Sequence, residues 1–136
     1  MSTLLLTGGA GFIGSNLVHY LLDHSNDHII IVDKLTYAGS LLNLDRALKD
    51  SRVTFVKADI ADGPAMTRLF SDHRPAAVLN LAAESHVDRS IDGPRSFVDT
   101  NVVGTFVLLE TARQFLADCP ADLRQSFRFL DRKSVV

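Results

Sequence analysis

A glycine-rich stretch near the start of the chain limits most strongly what this sequence can fold into. Residues 7–14 read Thr-Gly-Gly-Ala-Gly-Phe-Ile-Gly, follow an apolar run and precede residues with helical spacing. Gly9, Gly11 and Gly14 thus satisfy G-x-G-x-x-G between a strand and a helix. In this motif the first glycine permits a tight turn, the second lets a pyrophosphate approach the backbone, and the third lets the helix pack close to the strand. The stretch predicts a dinucleotide bound at the positive end of the first helix.

An acidic residue follows at the distance that a ribose-binding carboxylate requires. Asp33 comes directly after the apolar run 28–32 and lies roughly 20 residues beyond the last glycine of the motif. A carboxylate at this place can accept hydrogen bonds from ribose hydroxyls and would repel a 2′-phosphate. The sequence therefore predicts NAD rather than NADP, although the neighbouring Lys34 weakens this preference slightly. A glycine-rich turn and a strand-end aspartate without any ligand form the alternative interpretation.

Strands and helices alternate along the chain. The predicted strands are 3–7, 28–32, 53–57, 77–81 and 127–130. Near-continuous apolar strands that alternate with helices predict an α/β fold with a Rossmann-type, doubly wound parallel sheet. Right-handed crossovers and the position of the glycine motif favour the strand order 3-2-1-4-5, truncated at a fifth strand that barely begins. We expect the ligand across the carboxyl ends of strands one and four, at the topological switch point.

The predicted helices carry expectations about which side chains are buried. The first helix is 12–24, and a helix-start signal occurs at 62–64. Another helix, capped by Ser40, is expected to have an apolar side made of Leu41, Leu44 and Leu48. The last helix, about 95–117, is expected to have an inner face that points toward the sheet. The residues of this face are Phe97, Val98, Val102, Phe106, Leu109, Ala112 and Leu116.

Composition and charge restrict the class of protein. The 136 residues suit one domain that can bury a core, with 46% hydrophobic and 22% charged residues. A net charge of -2 without a Lys/Arg-rich run argues against a nucleic-acid surface. Cys119 is the only cysteine, which leaves no disulfide framework and no cysteine-based metal site and fits a reducing, cytoplasmic compartment. We expect no signal peptide, because the sequence begins with neither a basic region nor a cleavage site, and no membrane segment, because no apolar run approaches the roughly 20 residues that span a bilayer.

Five segments together resemble the amino-terminal half of the extended short-chain dehydrogenase/reductase family, and more narrowly the dTDP-glucose 4,6-dehydratases. The matching segments are 7–14, 33–39, 57–60, 80–91 and 97–105. The first is shared by the whole extended family, including epimerases, whereas the stretch 82–91, Ala-Ala-Glu-Ser-His-Val-Asp-Arg-Ser-Ile, is much closer to the dehydratase pattern. The resemblance implies NAD as the cofactor, a nucleotide sugar such as dTDP-glucose as the substrate, and a homodimer whose interface includes the long helix.

The resemblance also implies which residues contact the cofactor. The implied set is Gly8, Gly11, Phe12, Ile13, Gly14, Asp33, Lys34, Leu35, Thr36, Asp59, Ile60, Leu81, Ala82, Ala83, Glu84, Ser85 and Thr100. Residues 12–13 would support the pyrophosphate turn, 33–36 would hold the adenosine ribose, and 59–60 would flank the adenine. Residues 81–85 would run beneath the nicotinamide side, with Ser85 also near the sugar.

The resemblance further implies a mechanism that this sequence does not complete. In the family, NAD oxidises the sugar at C4, water leaves across C5 and C6, and the hydride returns to C6. The family's acid and base carboxylates correspond to Val135 and Val136, and no tyrosine in the sequence stands four residues before a lysine. We therefore expect an incomplete NAD-binding domain at 1–130, a tail outside the family pattern at 131–136, no catalytic residues, and no turnover by the chain itself.

Some residues and the function itself keep more than one interpretation. His24 and His28 straddle a turn, so we expect solvated side chains rather than metal ligands. Cys119, just before a proline, is expected to be a structural thiol. His86 could contact the ligand or order its loop, and Asn101 could brace the active site or satisfy backbone groups. The alternatives to a dehydratase are another NAD-dependent nucleotide-sugar epimerase or decarboxylase, a non-catalytic dinucleotide-binding module, and a purely structural α/β domain.

Overall fold

A parallel five-stranded sheet forms the centre of the computed structural model, which describes residues 2–35, 41–82, 95 and 98–131. Its strands are β1 (Thr3–Thr7), β2 (His28–Asp33), β3 (Val53–Lys57), β4 (Ala77–Asn80) and β5 (Arg128–Asp131). The strand order is β3-β2-β1-β4-β5, and every neighbouring pair is parallel. This arrangement confirms the predicted Rossmann-type sheet and its order 3-2-1-4-5.

Helices connect the strands and cover the sheet. They are α1 (Phe12–His24), α2 (Gly63–His73), α3 (Thr105–Ala117) and the short α4 (Ala121–Ser126). A π-helical turn, Asp99–Gly104, leads directly into α3, and two 3-10 turns, Leu41–Leu44 and Ala47–Lys49, lie between β2 and β3. The predicted bounds of α1 are confirmed, whereas α4 was not predicted. Within the described ranges, no helix combines the length and the hydropathy that crossing a bilayer demands.

The middle of the sheet is buried on both faces, which explains the continuous apolar character of β2. Ile29 and Ile31 point into a layer with α1 and the 3-10 turns, whereas Ile30 and Val32 point into a layer with α2 and α3. All four side chains are buried. Parallel pairing then brings the carboxyl ends of β1, β2 and β4 to one edge of the sheet.

The predicted helix between β2 and β3 is wrong. Its segment forms the two 3-10 turns, and among its three predicted apolar positions only Leu44 is buried, whereas Leu41 and Leu48 are exposed. Leu44 and Ala47 pack together against the α1 layer. Two buried side chains are enough to anchor so short a connection, so helical spacing of leucines did not require a helix. Ser40, the predicted cap, lies outside the described residues.

The predicted inner face of the last helix is also largely wrong. Leu108, Thr111 and Ala112 are the buried residues of α3, so Ala112 alone among the predicted set is fully buried, and Leu116 is half-buried. The others that the structure describes are exposed: Val98 by 44%, Val102 by 61%, Phe106 by 65% and Leu109 by 47%. Phe97 lies outside the described residues.

Close packing explains which side of this helix faces the core. An added Cβ on Gly104 would lie 2.6 Å from the side chain of Ile60, so the approach to the sheet layer admits only a small residue there. A second set of apolar side chains stands on the other side, and we call Val98, Val102, Phe106 and Leu109 the outer stripe. The sequence pattern could not distinguish the two sides because both carry apolar residues.

Candidate functional site

β1 runs into α1 through a turn that is too crowded for a side chain at three of its glycines, Gly8, Gly9 and Gly14. Gly8 has a φ of 71°, a conformation that non-glycine residues rarely adopt. An added Cβ there would lie 2.7 Å from the backbone of Leu81 and Ala82, at the end of β4. An added Cβ on Gly14 would overlap the carbonyl oxygen of Gly8. The predicted close approach of Gly14 is therefore present, and it joins the turn, the helix and β4.

The structure reassigns the tight turn within the glycine motif. The sequence pattern gave this role to Gly9, but Gly8 has the left-handed backbone. An added Cβ on Gly9 would instead overlap the side chain of Ile31 in β2. Gly9 is thus required by close packing on the sheet, which a spacing rule cannot separate from a backbone requirement.

The amino end of α1 lacks a capping side chain. Gly11 is the N-cap residue, and the first turn contains no acidic residue. The N–H groups of the first turn, at 12–14, have no acceptor within the helix because no earlier turn exists. The aligned peptide dipoles also place a partial positive charge at this end. Such an end is a ready site for a phosphate group.

Asp33 ends β2 with its carboxylate beside the glycine turn. Its Oδ2 accepts a hydrogen bond from the N–H of Ala10 at 2.9 Å, and its Oδ1 accepts one from the N–H of Leu35 at 2.8 Å. Leu35 has a left-handed φ of 59°, which is uncommon outside glycine. A carboxylate offers about four acceptor positions, so both oxygens keep capacity for ribose hydroxyls. The predicted proximity to the turn is present, and ribose binding stays a prediction.

Three further residues of the implied set meet next to Asp33. The ammonium of Lys34 lies 3.9 Å from Asp59 Oδ2 and donates to Thr100 Oγ1 at 3.4 Å. Thr100 is buried at the start of the π-helical turn, and Ile60 is buried in the layer with α2 and α3. The Lys34–Asp59 pair is partly exposed and contributes at most about 1 kcal/mol. Its geometry nevertheless directs the ammonium toward Asp59.

A buried polar network, missed by the sequence reasoning, joins the ends of β1, β4 and β5. The hydroxyl of Thr7 donates to Asn80 Oδ1 at 2.5 Å and accepts from the N–H of Ala82 at 3.2 Å. Asn80 Nδ2 donates to Asp131 at 2.9 Å and to Thr105 Oγ1 at 3.4 Å. Asn80 is only 1% exposed, so an unpaired amide would cost about 1–3 kcal/mol. The network fixes the path of β4 into the rim of the site.

The remaining implied residues divide into exposed ones and ones that cannot be placed. Phe12 is exposed by 80%, and Ile13 is also exposed, next to the glycine turn. Asn101 lies half-buried in the π-helical turn. Outside the described residues lie Thr36, Ala83, Glu84, Ser85 and His86. Their contacts with cofactor or sugar stay predictions.

Histidine and cysteine side chains in the described part of the chain show no metal-site geometry. His24 stacks on Tyr20 with ring centroids 4.1 Å apart, and His28 is exposed at the start of β2. The buried thiol of Cys119 donates to the carbonyl oxygen of Phe115 at 3.2 Å. No group of three or more possible metal ligands occurs among the described residues.

The shifted pKa values belong to surface ion pairs away from this rim. The Arg52 guanidinium is hydrogen-bonded to Asp50 and lowers the pKa of that carboxyl. Arg113 lowers the pKa of Glu110 in the same way on α3. Each of these pairs joins residues that are two or three positions apart in the sequence, away from the carboxyl ends of the strands.

Comparison with known proteins gives a consistent result. The family model described as GDP-mannose 4,6 dehydratase matches residues 5–132. The dTDP-glucose 4,6-dehydratase 1 of Escherichia coli K12 is 52% identical over 126 residues, which cover 93% of this chain and 35% of that protein. The chain thus spans about a third of the length of the curated relatives it matches. The family match extends two residues into the predicted tail, and the division into domain and tail stays a prediction.

Solved structures agree with these relatives. The dTDP-glucose 4,6-dehydratase DesIV from Streptomyces venezuelae, solved with NAD bound, has a TM-score of 0.77 and 46% identity, covering 83% of this chain and 36% of that chain. UDP-glucose 4-epimerase from Thermotoga maritima, solved with UDP-glucose, has a TM-score of 0.74 and 39% identity, covering 83% and 34%. The predicted resemblance is confirmed: the chain belongs to the GDP-mannose 4,6 dehydratase family, and relatives that share about half of its residues are dTDP-glucose 4,6-dehydratases.

Proposed function

We propose that this chain is the NAD-binding half of a dTDP-glucose 4,6-dehydratase. The observation that carries the proposal is the juxtaposition of an uncapped α1 with the Asp33 carboxylate across a turn in which Gly8, Gly9 and Gly14 leave no space for a Cβ. One end of this arrangement suits a pyrophosphate and the other suits a ribose. The names of the half-identical relatives supply the reaction, and the solved DesIV dehydratase supplies the cofactor.

The proposed contacts follow the dinucleotide from its adenine to its nicotinamide. The N–H groups of 12–14 would bind the pyrophosphate, Asp33 would accept from the adenosine ribose, and 59–60 would flank the adenine. Leu81 and Ala82, held by the Thr7–Asn80 network, would lie under the nicotinamide side. When bound, NAD would supply a hydride acceptor for the sugar and later return that hydride.

The same residues favour NAD over NADP. A 2′-phosphate would lie against the negative carboxylate of Asp33, where repulsion opposes binding. Lys34 is the nearby cation that could offset this repulsion, but its ammonium is directed toward Asp59. A cytoplasmic location is part of the proposal and is supported by the free thiol of Cys119.

A fluorescence titration with NADH tests the proposed cofactor. We expect saturable binding to the purified chain, weaker binding of NADPH, and a loss of at least about tenfold in NADH affinity with Asp33→Ala, because charge-assisted bonds to the ribose are removed. Asp27→Ala is the matched control, since Asp27 also accepts a backbone N–H, from Ser2 at 2.9 Å, at the opposite end of β2. Equal affinity of the wild type and Asp33→Ala would refute the assignment of Asp33.

Turnover requires a separate measurement. The sequence contains no Tyr-x-x-x-Lys, so the general base that the family uses on the C4 hydroxyl is missing from these 136 residues. We expect the purified chain to bind NADH but to form no 4-keto-6-deoxy sugar from dTDP-glucose. Formation of that product would contradict this expectation and place a base elsewhere in the chain.

The homodimer implied by the resemblance is the last part of the proposal. The outer stripe carries four exposed apolar side chains along one helical side, and such contiguous patches are typical of protein interfaces. We expect sedimentation velocity to detect a dimer that Phe106→Glu converts to a monomer. Tyr20→Glu is the control, because Tyr20 is a similarly exposed aromatic residue on α1. A monomeric wild type across the micromolar range would exclude this interface for the chain.

A further inference from the structure

The glycine turn is held by a second side chain, which lies outside the predicted site. Asn43, in the 3-10 turn Leu41–Leu44, donates from Nδ2 to the carbonyl oxygen of Ala10 at 2.8 Å. Asp33 accepts the N–H of the same residue at 2.9 Å. The two peptide groups that flank Ala10 are therefore fixed by side chains from two other segments. The N–H of Gly11 completes this arrangement by donating to the carbonyl oxygen of Gly8 at 3.2 Å.

Asn43 is itself held in place from two directions. The ring of His19 on α1 contacts its carbonyl oxygen through Nε2 at 3.0 Å, and because a carbonyl only accepts, Nε2 is the donor. The other ring nitrogen, Nδ1, is buried without a partner among the described residues, so Nε2 makes the hydrogen bond of this ring. The next residue, Leu44, is fully buried in the α1 layer. The 3-10 turn, α1 and the glycine turn are thus connected through one residue.

This connection matters because glycine is conformationally permissive. The peptide group between Ala10 and Gly11 could rotate at low cost, since Gly11 tolerates φ values of either sign. Rotation would turn the Ala10 carbonyl away from Asn43 and the N–H of Gly11 away from Gly8, and would thereby loosen the turn that leads into the first N–H groups of α1. We propose that Asn43 is a positioning residue for the dinucleotide: its bond to Ala10 holds the turn in the form in which those N–H groups face the pyrophosphate. The ligand in this inference rests on the proposed function, whereas the ordering of the turn does not.

Two readouts test this role on the purified chain. Amide hydrogen exchange without ligand reports the turn itself, and Asn43→Ala should accelerate exchange at Ala10 and Gly11, whose N–H groups donate to Asp33 and Gly8. Asn16→Ala is the matched control, because Asn16 Nδ2 also donates to a backbone carbonyl, that of Phe12, at 2.8 Å on the exposed side of α1. Unchanged exchange at Ala10 and Gly11 in Asn43→Ala would overturn the inference whether or not NADH binds.

Ligand titrations followed by NMR separate positioning from general support. We expect Asn43→Ala to weaken the binding of ADP-ribose and of NADH by about three- to tenfold, which corresponds to the net free energy of about one hydrogen bond. The affinity for adenosine should stay unchanged, because adenosine lacks the pyrophosphate. An equal loss for adenosine and ADP-ribose would show a merely structural role and overturn the inference. A wild type that binds none of these ligands would refute the proposed function, and amide exchange would then still decide whether Asn43 orders the turn.

Discussion

Two helices of this protein begin in opposite ways. α2 starts after Asp62, whose carboxylate accepts a hydrogen bond from the N–H of Ala65 at 3.2 Å, and Pro64 stands where no donor is needed. α1 starts after Gly11, with no side-chain cap and no acid in its first turn. Both helices follow strands of the same parallel sheet. The start of α2 has a side-chain acceptor of its own, whereas the start of α1 has none and leaves its donors available to an anion.

The difference has an energetic meaning. A capping side chain contributes about 0.5–2 kcal/mol, so the uncapped α1 gives up stability that α2 retains. An anion at α1 would supply the missing acceptor and would benefit from the helix dipole. A site of this kind is recognised by the N–H groups that local structure leaves without acceptors, and the comparison of the two starts supports the proposal that α1 binds the anion.

Filling the space at Gly14 should have the largest effect. Gly14→Ala places a Cβ against the carbonyl oxygen of Gly8, so we expect a loss of about 1–3 kcal/mol in the free energy of unfolding and weaker NADH binding. Gly63→Ala is the control at α2, since its added Cβ would meet only Val107 at an ordinary 3.9 Å. Urea unfolding measures both, and a Gly14→Ala protein as stable as Gly63→Ala would contradict the packing of the turn.

Capping α1 should separate binding from stability. Gly11 has an ordinary φ of -75°, so Gly11→Asp needs no left-handed backbone and supplies a cap. We expect the free energy of unfolding to rise by a few tenths of a kcal/mol, about the difference between Gly and Asp caps. NADH affinity should fall by at least about tenfold, because a carboxylate would repel the pyrophosphate. Undiminished NADH binding in this variant would show that the first turn of α1 is not where the anion binds.

Removing the cap of α2 should have the smallest effect on function. Asp62→Ala deletes the acceptor for the N–H of Ala65, and we expect a loss of about 1 kcal/mol in the free energy of unfolding. NADH affinity should stay within about twofold of the wild type, since α2 takes no part in the site. If Asp62→Ala lowered the free energy of NADH binding by more than it lowered the free energy of unfolding, the two helix starts would not differ in the way described.

The sequence predicted the fold well where burial alone defines an element. β2 shows this, because an apolar run buried on both faces has few alternatives, and the bounds of α1 follow from a glycine turn at one end and a polar turn at the other. The prediction was wrong where a segment carries more apolar residues than the core can bury, because the sequence does not show which of them face the core. The leucines before β3 other than Leu44 are exposed, and α3 buries Leu108, Thr111 and Ala112 rather than Phe106 and Leu109.

The sequence predicted the main residues of the candidate site but not the side chains that support them. The glycine motif and Asp33 carry a spacing signature, so their meeting at one edge followed from the parallel sheet. Asn80 and Asn43 carry none, because their partners lie 73 and 33 residues away along the chain. An asparagine that ends an apolar strand was the available signal for Asn80, while Asn43 lies in a segment whose predicted helix was wrong.

Backbone amide NMR during an NADH titration tests the difference between the two helix starts most directly. We predict that the amide resonances of Gly11, Phe12, Ile13 and Gly14 shift strongly and saturate together, while those of Gly63 and Ala65 at α2 stay in place. Saturating NADH that leaves the α1 amides unmoved, or that moves the α2 amides as much, would contradict the assignment of α1 as the anion-binding start.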